Sequence, residues 1–283
     1  MSADSPILRL RGLGKDYRGA GRDVRVAVEG VDLDMYPGES VAIVGESGSG
    51  KSTTARMIVG LETPSRGTLE IDGRAIPSRR LGYRERSWRS TQVQMVFQDP
   101  QQSLDRRQSI GGCLEEVLAL RGQARGEQRA GRVRELLGHV GLDERHASAL
   151  PRELSGGQRQ RVAIARALAA NPRVLVLDEA VSALDVTVQA QILSLLRRIR
   201  AQDGVSLVFI SHDLAVVGDI SERVLVMRHG RVVEEGPTAR VLYSPSHDYT
   251  RLLLASVPRP GWTPRRAHDR GDDPKRAPSS PPL

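Results

Sequence analysis

Gly45-Glu46-Ser47-Gly48-Ser49-Gly50-Lys51-Ser52 decides how the rest of the chain reads. It has the spacing of a phosphate-binding loop, two glycines five residues apart followed by lysine and a hydroxyl residue. The glycines let the backbone curl until several N–H groups point inward at phosphate oxygens, and a helix opening near Lys51 adds its positive end. Lys51 reaches the outer phosphates, and Ser52 can place its hydroxyl on Mg²⁺. The flanks agree. Ser40 to Val44 is an apolar run of strand length, and Lys51 to Val59 is a helical segment. The residues read as cradling a nucleotide are Gly45, Glu46, Ser47, Gly48, Ser49, Gly50, Lys51, Ser52 and Thr53.

A metal-bound triphosphate needs a carboxylate at the tip of a neighbouring strand. Val174-Leu175-Val176-Leu177 is continuously apolar and branched, the pattern of a parallel strand covered on both faces, and it delivers Asp178 and Glu179. Asp178 suits the metal side, commonly through water for so well-hydrated a cation. Glu179 can poise a water for in-line attack on the γ-phosphate. As a mere helix-capping pair the two acids would do no chemistry; the upstream loop favours the chemical reading.

Outward from these two anchors the texture changes by region. Ile7 to Leu10 and Val24 to Leu33 alternate apolar with polar between glycine and proline turns, and Thr68 to Ile71 precedes an Asp72-Gly73 turn. From Pro100 to Pro151 the spacing is helical, with Leu114, Val117 and Leu118, then Val133, Leu136, Leu137 and Val140. Ser155 to Ala170 reads as a helix stopped by Asn171-Pro172. Asp185 can cap the next helix, and Ser206 to Ile210 is a further buried strand. Arg223 to Met227 and Val232 to Glu234 read as a late hairpin. The fold class is therefore α/β: a P-loop NTPase core with a parallel sheet, an N-terminal antiparallel β subdomain and an inserted helical subdomain at about 100–160. One ATPase domain is expected over 5–257, and 258–283, rich in Pro, Arg, Asp and Ser, reads as a disordered tail.

Composition removes several classes. The single cysteine, Cys113, rules out an internal disulfide and cysteine-based iron–sulfur sites. No apolar stretch approaches the ~18–20 residues that span a bilayer. The first residues lack the basic-then-apolar pattern of a secretory signal, so a cytoplasmic chain is expected unless a partner holds it at a membrane. The net charge is +8, but lysine occurs only at Lys15, Lys51 and Lys275, and the tail carries Arg259, Arg265, Arg266, Arg270 and Arg276. A solvated, arginine-biased surface accounts for this, and no nucleic-acid partner is expected.

Leu154-Ser155-Gly156-Gly157-Gln158-Arg159-Gln160-Arg161 resembles the signature motif of the ABC ATPases, and it precedes the acidic strand as that family requires. The resemblance runs over about Ile7 to Val257. It implies that Ser155, Gly156, Gly157 and Gln158 touch the nucleotide of an opposite subunit, so that two ATP lie between two head-to-tail domains. The two glycines leave N–H groups unobstructed at a helix end that attracts an anion. A second ABC ATPase is therefore an implied partner. Carried over in the same way, Gln98 resembles the glutamine that contacts Mg²⁺ and the attacking water and senses a transmembrane partner. Ser182-Ala183-Leu184-Asp185 resembles the loop that crosses to the other subunit, His212 the switch histidine at the γ-phosphate, and Tyr17 the aromatic stacked on adenine. Ala180 departs from the pattern, since relatives usually have proline there.

Within the family, Phe97 to Asp105 and Ser246 to Pro258 resemble the ATPases of oligopeptide, dipeptide and nickel uptake, although Arg106 stands where relatives usually have proline. That resemblance implies an ATP- and Mg²⁺-dependent subunit at the cytoplasmic face of the inner membrane. Its companions would be a second ATPase, two integral-membrane permeases docked near Gln98 to Ile110, and an extracytoplasmic binding protein. ATP would close the ATPase pair and hydrolysis reopen it. The alternative is an ABC-type subunit of a soluble enzyme, like the carbon–phosphorus lyase accessory proteins.

Overall fold

Two sheets of opposite character organise the chain. The first is antiparallel and contains β1 (Leu8–Arg18), β2 (Val24–Met35), β4 (Arg66–Ile71) and β5 (Arg74–Ile76), in the order β2-β1-β4-β5. The second contains β3 (Ser40–Val44), β6 (Val93–Val96), β7 (Val174–Asp178), β8 (Ser206–Ser211), β9 (Arg223–Arg228) and β10 (Arg231–Pro237), in the order β10-β9-β3-β8-β7-β6. Its strands pair in parallel from β6 to β9, and β10 returns antiparallel as a hairpin. The structure, a computed structural model, describes residues 5–18, 23–79, 81–100, 103–122 and 125–255. The expected disordered tail at 258–283 lies outside the described residues.

β7 and β8 read as unbroken apolar runs because both faces are covered, and successive side chains alternate between two cores. Leu175, Leu177, Leu207 and Phe209 enter the first core, together with residues of α3 (Ile110–Leu120), α4 (Glu127–His139), α5 (Gly156–Leu168) and α6 (Val186–Asp203). Val174, Val176, Val208 and Ile210 enter the second, which joins the antiparallel sheet to α1 (Lys51–Val59). A third core gathers Ala42, Val44, Val224 and Val226 with residues of α7 (Leu214–Ile220), α8 (Thr238–Tyr243) and α9 (Asp248–Ala255). Among the described residues no helix is long and apolar enough to cross a membrane.

α2 (Tyr83–Gln92) and the edge strand β6 have no counterpart in the sequence reading. The reason is visible in α2, Tyr-Arg-Glu-Arg-Ser-Trp-Arg-Ser-Thr-Gln, which has no apolar stripe. Side chains hold it instead. Glu85 Oε2 accepts the Gly82 N–H at 2.9 Å, and the Arg74 guanidinium lies 4.4 Å from the Trp88 ring. Arg89, 4% exposed, donates to the carbonyls of Met57 and Ile58 in the last turn of α1, with Ile58 bonds of 3.2 and 2.9 Å. Burial pulls its pKa down to about 10, so it remains a cation at neutral pH and faces the negative end of α1. Arg89→Ala leaves a cavity and unmatched carbonyls, and is expected to cost about 2–4 kcal/mol in a denaturant titration, with Arg89→Lys intermediate.

Candidate nucleotide site

Parallel strands point their carboxyl ends the same way, so the segments following β3, β7 and β8 emerge along one edge. Val44 pairs with Ser211, and Asp178 with Ile210. The glycine loop, the acidic pair and His212 are thereby neighbours, although 45, 178 and 212 are far apart in sequence.

Backbone contacts shape the loop. Gly45 has φ 149°, and a Cβ there would lie 2.1 Å from the Met227 carbonyl; Gly50 has φ 104°, and a Cβ would lie 2.7 Å from the Ala27 carbonyl. Only glycine fits such close approaches. The Gly230 N–H donates to the Ser49 carbonyl at 3.0 Å, so β2 and the β9–β10 turn back the loop. Glu46, Ser47 and Gly48 form its exposed tip. Gly50 is the N-cap of α1, where no side chain makes a capping bond and no acid occupies the first turn. That end suits an anion. Lys51 is buried and lies across the loop, its Nζ donating to the carbonyls of Gly45 at 2.7 Å and Glu46 at 2.8 Å. Burial lowers its pKa, against the charges of Glu179, Asp178 and Glu46.

The acids meet this loop directly. Ser52 Oγ donates to Asp178 Oδ1 at 3.0 Å, with Thr53 next to it, half-buried in the first turn of α1. Asp178 is 8% exposed. Burial pushes its carboxyl above the ordinary range; the Ser52 hydrogen bond opposes this and the Glu179 charge adds to it. Glu179 has φ 48°, a left-handed conformation held by its N–H on the Ile210 carbonyl at 3.0 Å. Its carboxylate sits between Gln98, whose Nε2 donates to Oε2 at 3.0 Å, and His212, whose Nδ1 is 3.4 Å from Oε1. Ala180 is buried in the first core.

The remaining expected residues are held by other contacts. Tyr17, 36% exposed near the end of β1, has the Lys15 ammonium 5.1 Å from its ring centroid. Its strand pairs with β2, which carries Ala27 and Val28 against Gly50. Ser155 caps α5: its Oγ accepts the Gln158 N–H at 3.2 Å while Gln158 Oε1 accepts the Ser155 N–H at 2.9 Å. Gly157 also has a packing reason to lack a side chain, since a Cβ there would lie 2.6 Å from Val188 Cγ1. Gly156 has only Leu184 nearby, at 3.9 Å. Ser182 Oγ donates to the Glu179 carbonyl at 2.9 Å, and Asp185 caps α6 by accepting the Val188 N–H at 2.9 Å. One contact escaped the sequence altogether. The Tyr249 hydroxyl accepts the Glu46 N–H at 3.1 Å, and no local pattern signals a pairing across 203 positions.

Residues 28–182 match the family model described as ABC transporter. This chain belongs to the ABC transporter family. Residues 233–280 match a second model, the C-terminal region of oligopeptide/dipeptide transporters. The ABC ATPase domain is thus followed by that C-terminal region. The chain is similar to the glutathione import ATP-binding proteins of Escherichia coli K12 and Salmonella typhimurium LT2, each 46% identical over 89% of this chain and 41% of the relative. It spans about two-fifths of the length of those relatives. Among solved structures it resembles the ATP-binding cassette MJ0796 in a dimeric post-hydrolysis state bound to ADP and Pi, at TM-score 0.72 and 35% identity, covering 82% of this chain and 98% of that one. Cassette cbiO1 of Clostridium perfringens, part of the transporter complex cbiONQ, aligns at TM-score 0.75 and 28% identity, covering 85% of this chain and 92% of that one.

The buried carboxylate at Asp178 yields a stability prediction. A raised folded-state pKa means that its contribution to stability is present below the unfolded pKa and lost as pH rises through the folded one. Asp178→Asn is therefore expected to raise the thermal midpoint of the nucleotide-free protein at neutral pH, with the gain shrinking in acid.

Proposed function

We propose that this chain is the ATP-binding and ATP-hydrolysing subunit of an ABC importer for small peptides or nickel, with 5–257 as one ATPase domain and about 100–160 as its helical subdomain. The observation that carries the reading is the convergence at one sheet edge. Lys51 lies across the loop, Ser52 and Asp178 form a hydroxyl–carboxylate pair at 3.0 Å, and Glu179 is held between Gln98 and His212.

The oxygen donors fit Mg²⁺. Ser52 and Asp178 present hard ligands beside an uncapped helix end, and burial makes the Asp178 charge costly until a cation neutralises it. Bound there, Mg²⁺ would spread the charge that builds on the phosphate oxygens. The chain's own groups do the rest. Backbone N–H groups of Gly48 and of Gly50 to Thr53, with the Lys51 ammonium, orient the phosphates, Tyr17 stacks on the adenine, and Glu179 takes a proton from the attacking water. Gln98 and His212 fix the Glu179 carboxylate and, through it, that water.

Ser155 and Gln158 bond to each other rather than to the loop they would serve, which favours a second ABC ATPase completing the pocket. MJ0796 is a dimeric cassette. ATP closes such a pair only because the closed form contacts the γ-phosphate and the open form does not. Permeases would dock in a groove of about 630 Å³ between α2, β6, α3 and α5, where Tyr83, Phe97 and Leu120 are exposed. Phe97 lines that groove and Gln98 touches Glu179, so docking and hydrolysis meet at adjacent residues. The chain would then work at the cytoplasmic face of the membrane, fed by an extracytoplasmic binding protein. The match over 233–280 favours this importer over the subunit of a soluble enzyme.

Glu179→Gln is expected to lower kcat for ATP about hundredfold or more while ATP binding persists. Turnover at the wild-type rate would remove Glu179 from its role. Lys51→Ala is expected to weaken ATP binding itself, and an unaltered dissociation constant in that variant would contradict the phosphate-loop assignment.

A further inference from the structure

We propose that Tyr249 is a positioning residue for the phosphate loop, through which the segment after β10 sets the affinity for nucleotide. This rests on the nucleotide reading given above. Tyr249 lies in α9, is 3% exposed, and belongs to the third core, which also holds Ala42 and Val44 of β3, the strand that leads into the loop. Its hydroxyl accepts the Glu46 N–H at 3.1 Å. The carbonyl of the same residue accepts Lys51 Nζ at 2.8 Å and the Ser49 N–H at 3.2 Å. Glu46 therefore joins Tyr249 on one side to the lysine on the other. Rotating its backbone would displace an acceptor of the ammonium that must meet the phosphates.

Tyr249 is itself fixed by groups outside the nucleotide site. The Arg228 guanidinium lies 4.8 Å from its ring centroid, and its N–H donates to His247 Nδ1 at 3.0 Å. The turn that starts α9 is tied to Glu234 of β10. Glu234 Oε1 accepts the Ser246 N–H at 2.7 Å and the Ser246 hydroxyl at 2.8 Å, and Oε2 accepts the His247 N–H at 3.2 Å. Burial works to raise this carboxyl, yet the donors around it hold it down at about 2, so it stays charged at any working pH. The line from Glu234 through α9 to Glu46 and Lys51 is a continuous set of short polar contacts. It links the C-terminal family region to the loop. Within it Tyr249 offers the loop a single oxygen, which can be removed without changing the shape of the core.

The test compares the full-length wild type with Tyr249→Phe and Glu234→Gln, by calorimetric titration with ATP in Mg²⁺ and by steady-state ATPase assay. Loss of one hydrogen bond to the loop is expected to raise the ATP dissociation constant and KM of Tyr249→Phe about two- to tenfold, with kcat preserved. Glu234→Gln, which loosens the start of α9 without touching the loop, is expected to shift both in the same direction. Wild-type affinity in Tyr249→Phe, or a fall in kcat at unchanged affinity, would overturn the proposal. Wild-type affinity in Glu234→Gln would remove the C-terminal segment from it. A wild-type chain that bound no ATP would instead defeat the nucleotide reading beneath it.

Discussion

Parallel pairing of β3 with β8 and of β8 with β7 forces Val44, Ser211 and Asp178 to finish on one edge of one sheet. The meeting of the glycine loop, the acidic pair and His212 follows from that register. A slip of one residue in β7 would turn Leu175 and Leu177 out of the first core and carry Asp178 away from Ser52. The two cores on either side of β7 and β8 thus do more than stabilise the fold. They hold a carboxylate and a hydroxyl at hydrogen-bond distance across 126 positions of sequence.

The charges at that edge are poorly suited to a protein without ligand. Burial disfavours the ammonium of Lys51 and the carboxylate of Asp178 alike, and the two acids repel one another. Glu179 is in addition held at a positive φ. Such a cluster is tolerated because neighbouring elements fix it: Met227, Ala27 and Gly230 from behind the loop, Ile210 beneath Glu179, and Arg89 at the far end of α1. Triphosphate and a divalent cation would supply the missing opposite charges. Strain of this kind, stored where a ligand relieves it, is what perturbed ionisation in a cleft commonly marks.

The legible parts of the fold and site were those whose signal is local. β3 and α1 begin and end where an apolar run, a glycine loop and a lysine mark them. The acids after β7 were legible because four apolar residues precede them, and Ser155 and Asp185 because helix caps are written in short patterns. Elements formed by distant contacts were not. α2 folds on Glu85, Trp88 and Arg89 rather than on an apolar stripe, and Arg89 finds its acceptors in another helix. The packing of Val188 against Gly157 is likewise absent from any local pattern. The pairing of Tyr249 with Glu46 depends on where β10 and α9 return to the sheet, which no window of sequence contains.

Whether this edge grips phosphate is measured directly by calorimetric titration of the wild-type chain with ATP and with adenosine, each with and without Mg²⁺. The arrangement of Lys51, the uncapped end of α1 and the Ser52–Asp178 pair predicts one ATP per chain, bound more tightly with Mg²⁺ and at least about a hundredfold more tightly than adenosine. Equal affinity for ATP and adenosine, or no binding of either, would contradict it.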